Sequence, residues 1–468
     1  MHKKIFTNSF GILFSRILGF IRDLLTASIL GANVYSDIFF VAFKFPNLFR
    51  RIFGEGAFIQ SFMPSFIASK NKSIFQAAVF LRFLAIILFI SILVTFFAPY
   101  ATKLIAFGFS DELVVKAAPY VALNFYYLDL IFIATFLAAL LQYKEHFATT
   151  AFSTALLNIA LITALLVSRN KAEEEIVWAL SIAVIVGGFL QVGVHLIALK
   201  KLNLCKMFIG GFFRLKSGYK KIEKDIAKFN KNFIPSIFGN SAAQISAFID
   251  TWLASFLAAG SISYLYYSNR IFQLPLALFA IAAATAIFPS VSKKLKQKKE
   301  NEALKFLTQG FWLLFFLLTL STVGGIMLSH EIVWLLFERG AFTREDTLNT
   351  SLVLVMYMGG LLPYGLAKIF SLWLYSTDRH GKAAKIAGVS LGANIVLSVL
   401  LIFPLQAAGL ALASTLSGFL LFAMTVKEFG TKRFLVIIAD KKALYLIAAI
   451  IIEIIILYLA KGFIDGYL

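Results

Sequence analysis

Apolar stretches of about twenty residues or more, long enough to cross a bilayer as a helix, recur along the whole chain. They lie near 5–30, 34–56, 74–98, 117–143, 148–168, 176–199, 230–258, 264–290, 305–329, 349–376, 382–403, 406–427 and 441–460. The pattern therefore predicts thirteen helices and an all-α polytopic membrane protein. The first stretch is too long for a cleavable signal and is interrupted by Arg16, Arg22 and Asp23. Polar segments between the stretches are short, except for a basic one at 200–229. On the side opposite the N-terminus none exceeds about twenty residues, which leaves no room for a catalytic domain.

The Lys and Arg positions orient this pattern. With the N-terminus in the cytoplasm, 31 of the 44 fall in or beside cytoplasmic segments, 7 on the other side and 6 inside helices. That asymmetry accounts for most of the +20 net charge by the positive-inside rule, without invoking nucleic acid. The basic stretches Lys200–Lys231 and Lys293–Lys299 read as orientation signals that also attract anionic lipid. Composition agrees: 60% of the residues are apolar and 15% charged, with a mean hydropathy of +0.85, far from a soluble domain. The single Cys205 and five scattered His residues offer no disulfide and no zinc spacing.

Two halves follow one plan. Phe45-Pro46 leads to Phe62-Met63-Pro64-Ser65, as Leu274-Pro275 leads to Phe288-Pro289-Ser290-Val291. The loop 105–112 (IAFGFSDE) corresponds to 336–346 (LFERGAFTRED), each after the third helix of its half. Asn158 corresponds to Asn394, and Gly188-Phe189-Leu190 to Gly418-Phe419-Leu420. Six helices per repeat place both halves in the same orientation. The expected architecture is thus two six-helix lobes related by a pseudo-two-fold along the membrane normal, with an extra C-terminal helix and a substrate site at the lobe interface. The expected divisions are 1–199 for the first lobe, 200–229 for the linker, 230–427 for the second lobe and 428–468 for the C-terminal region.

Charged residues inside the apolar stretches point to function, because an Arg at the centre of a membrane helix costs about 2.5–3.5 kcal/mol. The first two helices carry Arg16, Arg22, Asp23, Asp37, Lys44, Arg50, Arg51 and Glu55; Asp250 and Arg270 lie in the seventh and eighth. Guanidiniums match phosphate oxygens in two-point contact, so this set suits a pyrophosphate better than a neutral solute. Structural pairing, Arg16 with Asp37 or Arg22 with Asp23, is the competing reading. Asp250 calls for a proton, a metal cation or an Arg partner. Lys368 and Arg82 read as snorkelling or packing residues.

The stretch 15–58, SRILGFIRDLLTASILGANVYSDIFFVAFKFPNLFRRIFGEGAF, closely resembles the signature of the MurJ/MviN family of lipid II flippases, within the multidrug/oligosaccharidyl-lipid/polysaccharide exporter superfamily. The stretch 266–290 is similar to that family's eighth helix. The resemblance implies alternating-access transport of the undecaprenyl-pyrophosphate-linked peptidoglycan precursor from the cytoplasmic to the periplasmic leaflet of a bacterial inner membrane. It implies substrate-binding roles for Arg16, Arg22, Arg50 and Arg270, with Asp37 and Glu55 as the accompanying acids. It further implies a sodium site built from Asp250, Ser390 and Asn394. No cofactor is expected beyond a coupling cation, Na+ or H+. The expected partners are the lipid-linked precursor, membrane lipids and cell-wall synthesis proteins, around a functional monomer. The chain departs from the family's pattern at Ala277 and Ala280, where Gly is usual, at Asp378–Lys382, which lacks proline, and in having thirteen expected helices rather than fourteen. The rival classes are a drug exporter, which needs acids in its cavity, a flippase for another polyprenyl-linked glycan, and a membrane glycosyltransferase using Asp111 and Glu112 or Glu345 and Asp346.

Overall fold

In the computed structural model the described residues are 2–54 and 57–464; of these, the side chains at 2–6, 8–9, 49–54, 57, 234–244, 246–247 and 463–464 are left aside. Among the described residues every regular element is helical. The first helices are α1 (His2–Leu30), α2 (Val34–Gly54), α3 (Ala57–Ala68), α4 (Lys72–Phe96), α5 (Ala98–Ile105), α6 (Asp111–Phe125) and α7 (Tyr127–Tyr143). They are followed by α8 (Ala148–Ser168), α9 (Glu173–Lys201), α10 (Cys205–Gly218) and α11 (Glu223–Ala254). Next come α12 (Ser261–Pro275), a π turn (Leu276–Ile281), α13 (Ala282–Lys296), α14 (Glu300–Met327) and α15 (Ser329–Phe337). The last are α16 (Arg344–Met358), α17 (Leu361–Ser376), α18 (His380–Phe429), α19 (Thr431–Ile438) and α20 (Lys442–Ile464).

Each of the thirteen expected stretches is helical over most of its described residues. Nine continuous stretches among the described residues are long and apolar enough to cross a membrane. One of these, α18, is a hairpin rather than a rod. Gln406 adopts φ 53° and ψ −136° within it, two residues after Pro404. Across the resulting turn Ser390 Oγ donates to Ser417 O at 2.8 Å and Asn394 Nδ2 donates to Ser414 Oγ at 3.2 Å. Both pairs are centred near residue 404, as antiparallel halves require. Gly409 permits the close return, since a Cβ there would lie 2.2 Å from Leu401 O.

Contacts divide the chain into two compact units, Met1–Phe256 and Leu257–Leu468. The division falls after α11, not at the basic linker, and aromatic packing explains it. Phe229 and Phe233, in the second and third turns of α11, join Phe58 and Phe62 of α3 and Phe75 and Phe83 of α4. Phe83–Phe233 centroids lie 5.1 Å apart and Phe58–Phe229 centroids 6.2 Å apart. Phe132 and Phe136 of α7 complete the cluster, whose members are almost all fully buried. Eight of the chain's 51 phenylalanines thus form one aromatic cluster within the first unit. The linker expected at 200–229 is itself helical: α10, one 3₁₀ turn (Tyr219–Lys221) and the start of α11.

The second unit is organised around α17, whose Phe370, Ile369 and Leu374 are fully buried and Trp373 nearly so. The α18 hairpin, α13 and α14 cover it.

Sequence echoes between the halves become equivalent contacts. Gly188 of α9 lies against α7: a Cβ there would meet Leu130 at 2.7 Å and Tyr127 at 3.0 Å. Gly418 lies against α17 in the same way, a Cβ there meeting Tyr364 at 2.8 Å. The two tyrosines hydrogen-bond the helix carrying the glycine, Tyr127 through Gln191 Oε1 at 3.2 Å and Tyr364 through Ser414 O at 2.9 Å. The two matched loops each bury a phenylalanine, Phe109 and Phe342, immediately before an N-cap. Ser110 Oγ accepts from Leu113 N, and Thr343 forms a reciprocal capping box with Asp346.

Candidate functional site

Arg22 sits in the sixth turn of α1 and is only 8% exposed. Its Nη2 lies 2.6 Å from Asp23 Oδ1, its Nε donates to the same oxygen at 3.1 Å, and its Nη1 donates to Asn158 Oδ1 of α8 at 3.1 Å. Asn158 Nδ2 donates in turn to Ser15 O at 3.1 Å, so the amide ties two turns of α1 to α8. Gly19 makes room, its Cβ position lying 3.5 Å from the Asn158 amide nitrogen. The structural pairing of Arg22 with Asp23 is therefore real. A buried guanidinium is tolerated here because a carboxylate and an amide oxygen stand on it.

Asp37 is buried in the first turn of α2, where the helix dipole favours an anion. That helix starts from a well-made turn: Gly31, at φ 71°, closes α1, and Asn33 Oδ1 accepts from Tyr35 N and Ser36 N. Arg16 is exposed on α1 and makes no ion pair among the described residues, so the expected Arg16–Asp37 pair is not formed. Arg50 lies in α2 with its side chain outside the described residues, and Glu55 lies wholly outside them.

In the second unit Arg270 of α12 is half-buried. Its Nη2 donates to Tyr266 OH at 2.7 Å, and its Cζ stands 4.9 Å from the same ring's centroid, a cation–π contact one turn away. Five residues on, Pro275 removes a backbone donor and the chain widens into the π turn Leu276–Ile281. Such turns accompany functional sites. The two alanines that stand where the family usually has Gly, Ala277 and Ala280, fall inside this turn, and Ala280 is fully buried.

Asp250, near the end of α11, has an Oδ1 enclosed by protein with no hydrogen-bond partner among the described residues. The Lys44 ammonium of α2 is the charge that acts on it, and α2 and α11 meet there, Phe45 packing edge-on against Phe248 at 5.6 Å. Ser390 and Asn394 lie in the α18 hairpin of the second unit, both buried. Among the described residues no three His, Cys, Asp or Glu gather as metal ligands.

Three acids escaped the sequence reading. Asp129, in the apolar run of α7, is 7% exposed and places Oδ2 2.6 Å from Ser91 Oγ of α4. Glu331 is buried and pairs with Lys461 of α20 at 3.0 Å. Glu453 of α20 faces α14 beside Gly324. A lone acid within an apolar run was the available signal in each case. Of the loop acids that an enzyme would need, Asp346 caps α16, and Asp111, fully exposed, pairs with Lys103 at 3.4 Å.

The fold is shared with a MATE-type multidrug transporter. An inward-facing multidrug resistance MATE family transporter of the MOP superfamily superposes with a TM-score of 0.66 over 90% of this chain and 94% of its own, at 10% identity. The sequence goes further. The profile of the family described as Lipid II flippase MurJ matches residues 26–467, and the chain belongs to that family. A probable lipid II flippase MurJ of Helicobacter pylori (strain ATCC 700392 / 26695) is 49% identical over 94% of this chain and 97% of its own length. One from Buchnera aphidicola subsp. Acyrthosiphon pisum is 31% identical over 97% and 89%. The solved structure of a lipid II flippase MurJ in an inward closed conformation shares 27% identity and a TM-score of 0.78, covering 98% of each chain.

Proposed function

We propose that this protein is a transporter, not an enzyme, that moves the undecaprenyl-pyrophosphate-linked peptidoglycan precursor from the cytoplasmic to the periplasmic leaflet of the bacterial inner membrane. The observation that carries the reading is an arginine built into a membrane helix of each unit, Arg22 and Arg270, in a chain of the lipid II flippase family. The substrate's pyrophosphate and sugar-peptide must cross hydrocarbon while its polyprenyl tail stays in lipid. Arg22 and Arg270 are the proposed phosphate-binding guanidiniums, joined by Arg16 and Arg50, with Asp37 and Glu55 setting their charge. The N-terminus is cytoplasmic, so the interior-negative potential favours outward movement of the anion by about 2.3 kcal/mol per charge per 100 mV. The two six-helix repeats provide alternating access, and the protein acts as a monomer.

The return step is driven by a cation at Asp250. The enclosed carboxylate oxygen of Asp250, without a hydrogen-bond partner among the described residues, suits a hard monovalent ion. Sodium should raise the Tm of the wild type but not of Asp250→Asn. An equal rise in both removes the sodium reading and leaves a proton. The main reading is tested by depleting the protein in its source cells. Precursor that accumulates and becomes inaccessible to an impermeant external label supports it. Unchanged access with normal precursor levels overturns it and turns attention to other polyprenyl-linked glycans.

A further inference from the structure

Each unit ends its six-helix repeat with a short amphipathic helix that the transport reading does not use. The sixth helix, α9, runs into α10; the twelfth, the second arm of α18, runs into α19. Both docked helices pack on the third long helix of their repeat. In the first unit, α4 donates to α10 through Ser73 Oγ and Gln76 Nε2, both reaching Met207 O, at 2.7 and 2.8 Å. In the second, α14 donates to α19 through Trp312 Nε1, reaching Ile437 O at 3.1 Å. Aromatic rings seat both: Phe208 and Phe212 pack on Phe80, and Phe434 packs on Phe311 and Phe370. Gly211 allows the closest approach, since a Cβ there would fall 2.0 Å from Ser73 O.

The face turned away from this packing is apolar at its centre and basic at its edges. On α10, Lys206, Ile209, Phe213 and Lys216 lie within about 80° of one another at 100° per residue. Phe213 is 85% exposed and Ile209 51%. On α19, Lys432, Leu435 and Val436 share a face, and Val436 is 78% exposed. Residues 200–231 hold ten Lys or Arg against two acids, and none of the ten forms an ion pair among the described residues. Asp225 is taken by Ser69 Oγ at 2.6 Å. The α10 contacts on α4 span Ser73 to Phe80, about 10 Å of helix rise. Those contacts lie at the start of α4, next to the basic segment, as a helix at the headgroup–acyl boundary requires.

We propose that α10 and α19 are a pair of interfacial membrane helices, one per repeat. They insert Phe213, Ile209, Leu435 and Val436 into the leaflet on the Lys/Arg-rich side and bind anionic phospholipid headgroups through the flanking basic residues. Recurrence of the same device at the same place in both repeats, with different residues, separates it from a chance exposed patch. The charge excess selects anionic lipid over an acidic soluble partner, because the apolar centre needs hydrocarbon beneath it. The inference is independent of lipid II transport and survives or fails separately from it.

The test uses the full chain in a Cys205→Ser background, with a bimane on Phe213→Cys or, separately, Val436→Cys. Each protein is reconstituted in nanodiscs of phosphatidylcholine with or without phosphatidylglycerol. Both probes should be quenched by nitroxides at shallow acyl positions and protected from aqueous iodide. Nitroxide carried on phosphatidylglycerol should quench the 213 probe more than the same nitroxide on phosphatidylcholine, up to about fivefold for one effective charge. The triple change Lys206→Gln, Arg214→Gln, Lys216→Gln should bring that ratio to one while leaving depth unchanged. Two probes that read water in anionic nanodiscs overturn the insertion, and with it a soluble partner becomes the better occupant. A ratio of one in the unmodified basic background overturns the headgroup preference.

Discussion

The two units bury an arginine by different means. In the first, Arg22 stands against a carboxylate and an amide, Asp23 and Asn158, within a helix anchored to α8. In the second, Arg270 is steadied by an aromatic ring and its hydroxyl, one turn before a proline and a π turn. One guanidinium is held by a carboxylate and an amide, the other by a phenol that both stacks on it and accepts its hydrogen bond. The matched asparagines diverge in the same sense. Asn158 reaches across to the arginine's helix, whereas Asn394 closes its own hairpin onto Ser414. The pseudo-repeat therefore preserves helix packing while seating one arginine on a carboxylate and an amide and the other on an aromatic ring beside a π turn.

The strongest test of that contrast removes each guanidinium. Arg270→Ala and Arg22→Ala should each lower lipid-linked precursor flipping by about 100-fold or more, from the loss of a charged phosphate contact of about 3 kcal/mol. The variants should separate in stability. Arg22→Ala leaves Asp23 and Asn158 unmatched in a buried place and should lose about 3 kcal/mol, seen as a large fall in Tm in detergent. Arg270→Ala should unfold within a few degrees of the wild type. Equal losses of stability would erase the distinction.

A finer cut concerns what Tyr266 supplies. Tyr266→Phe keeps the ring under the guanidinium and deletes the bond to Nη2, a loss of about 1 kcal/mol, so flipping should fall about fivefold. Asp23→Asn is the matching change in the first unit. It removes the balancing charge but not the hydrogen-bond acceptor, and should act mainly on Tm. If Tyr266→Phe lowers Tm and spares transport, the phenol is a structural support.

Most helices were legible because hydrocarbon imposes a length and an apolar content that a sequence displays directly. The repeat was legible for the same reason: Gly188 and Gly418 are small because an aromatic side chain lies on each. Pairing geometry was not. Arg22 with Asp23 and Arg16 with Asp37 looked alike as sequence, and only the first forms, because side-chain reach depends on rotation about α1. The boundary after Phe256 was also hidden. Phe229 and Phe233 look like any apolar positions until the rings of α3 and α4 are placed beside them. Asp129 was overlooked because its stabiliser, Ser91, lies 38 residues away. By sequence alone α10 looks like a linker, because its charge hides its apolar stripe.

The smallest expected effect compares the equivalent turns of the two halves. A Cβ at Gly188 would meet two α7 side chains inside 3.1 Å, and one at Gly418 would meet the Tyr364 ring at 2.8 Å. Gly188→Ala and Gly418→Ala should each lose about 1–3 kcal/mol through overpacking. At the caps, Ser110→Ala removes one accepted bond at 3.3 Å, whereas Thr343→Ala breaks a two-way box whose Asp346 also takes Tyr264 OH at 3.0 Å. Both should fall near the usual cap value of about 1 kcal/mol, with Thr343→Ala the larger. Thermal unfolding of the four variants in one detergent ranks them. If Ser110→Ala costs as much as Thr343→Ala, the repeats share cap energetics as well as geometry, and the divergence between the units is confined to the arginines. If the order holds, the second unit has the more firmly nucleated fourth helix, a stiffer neighbour for the segment that carries Arg270.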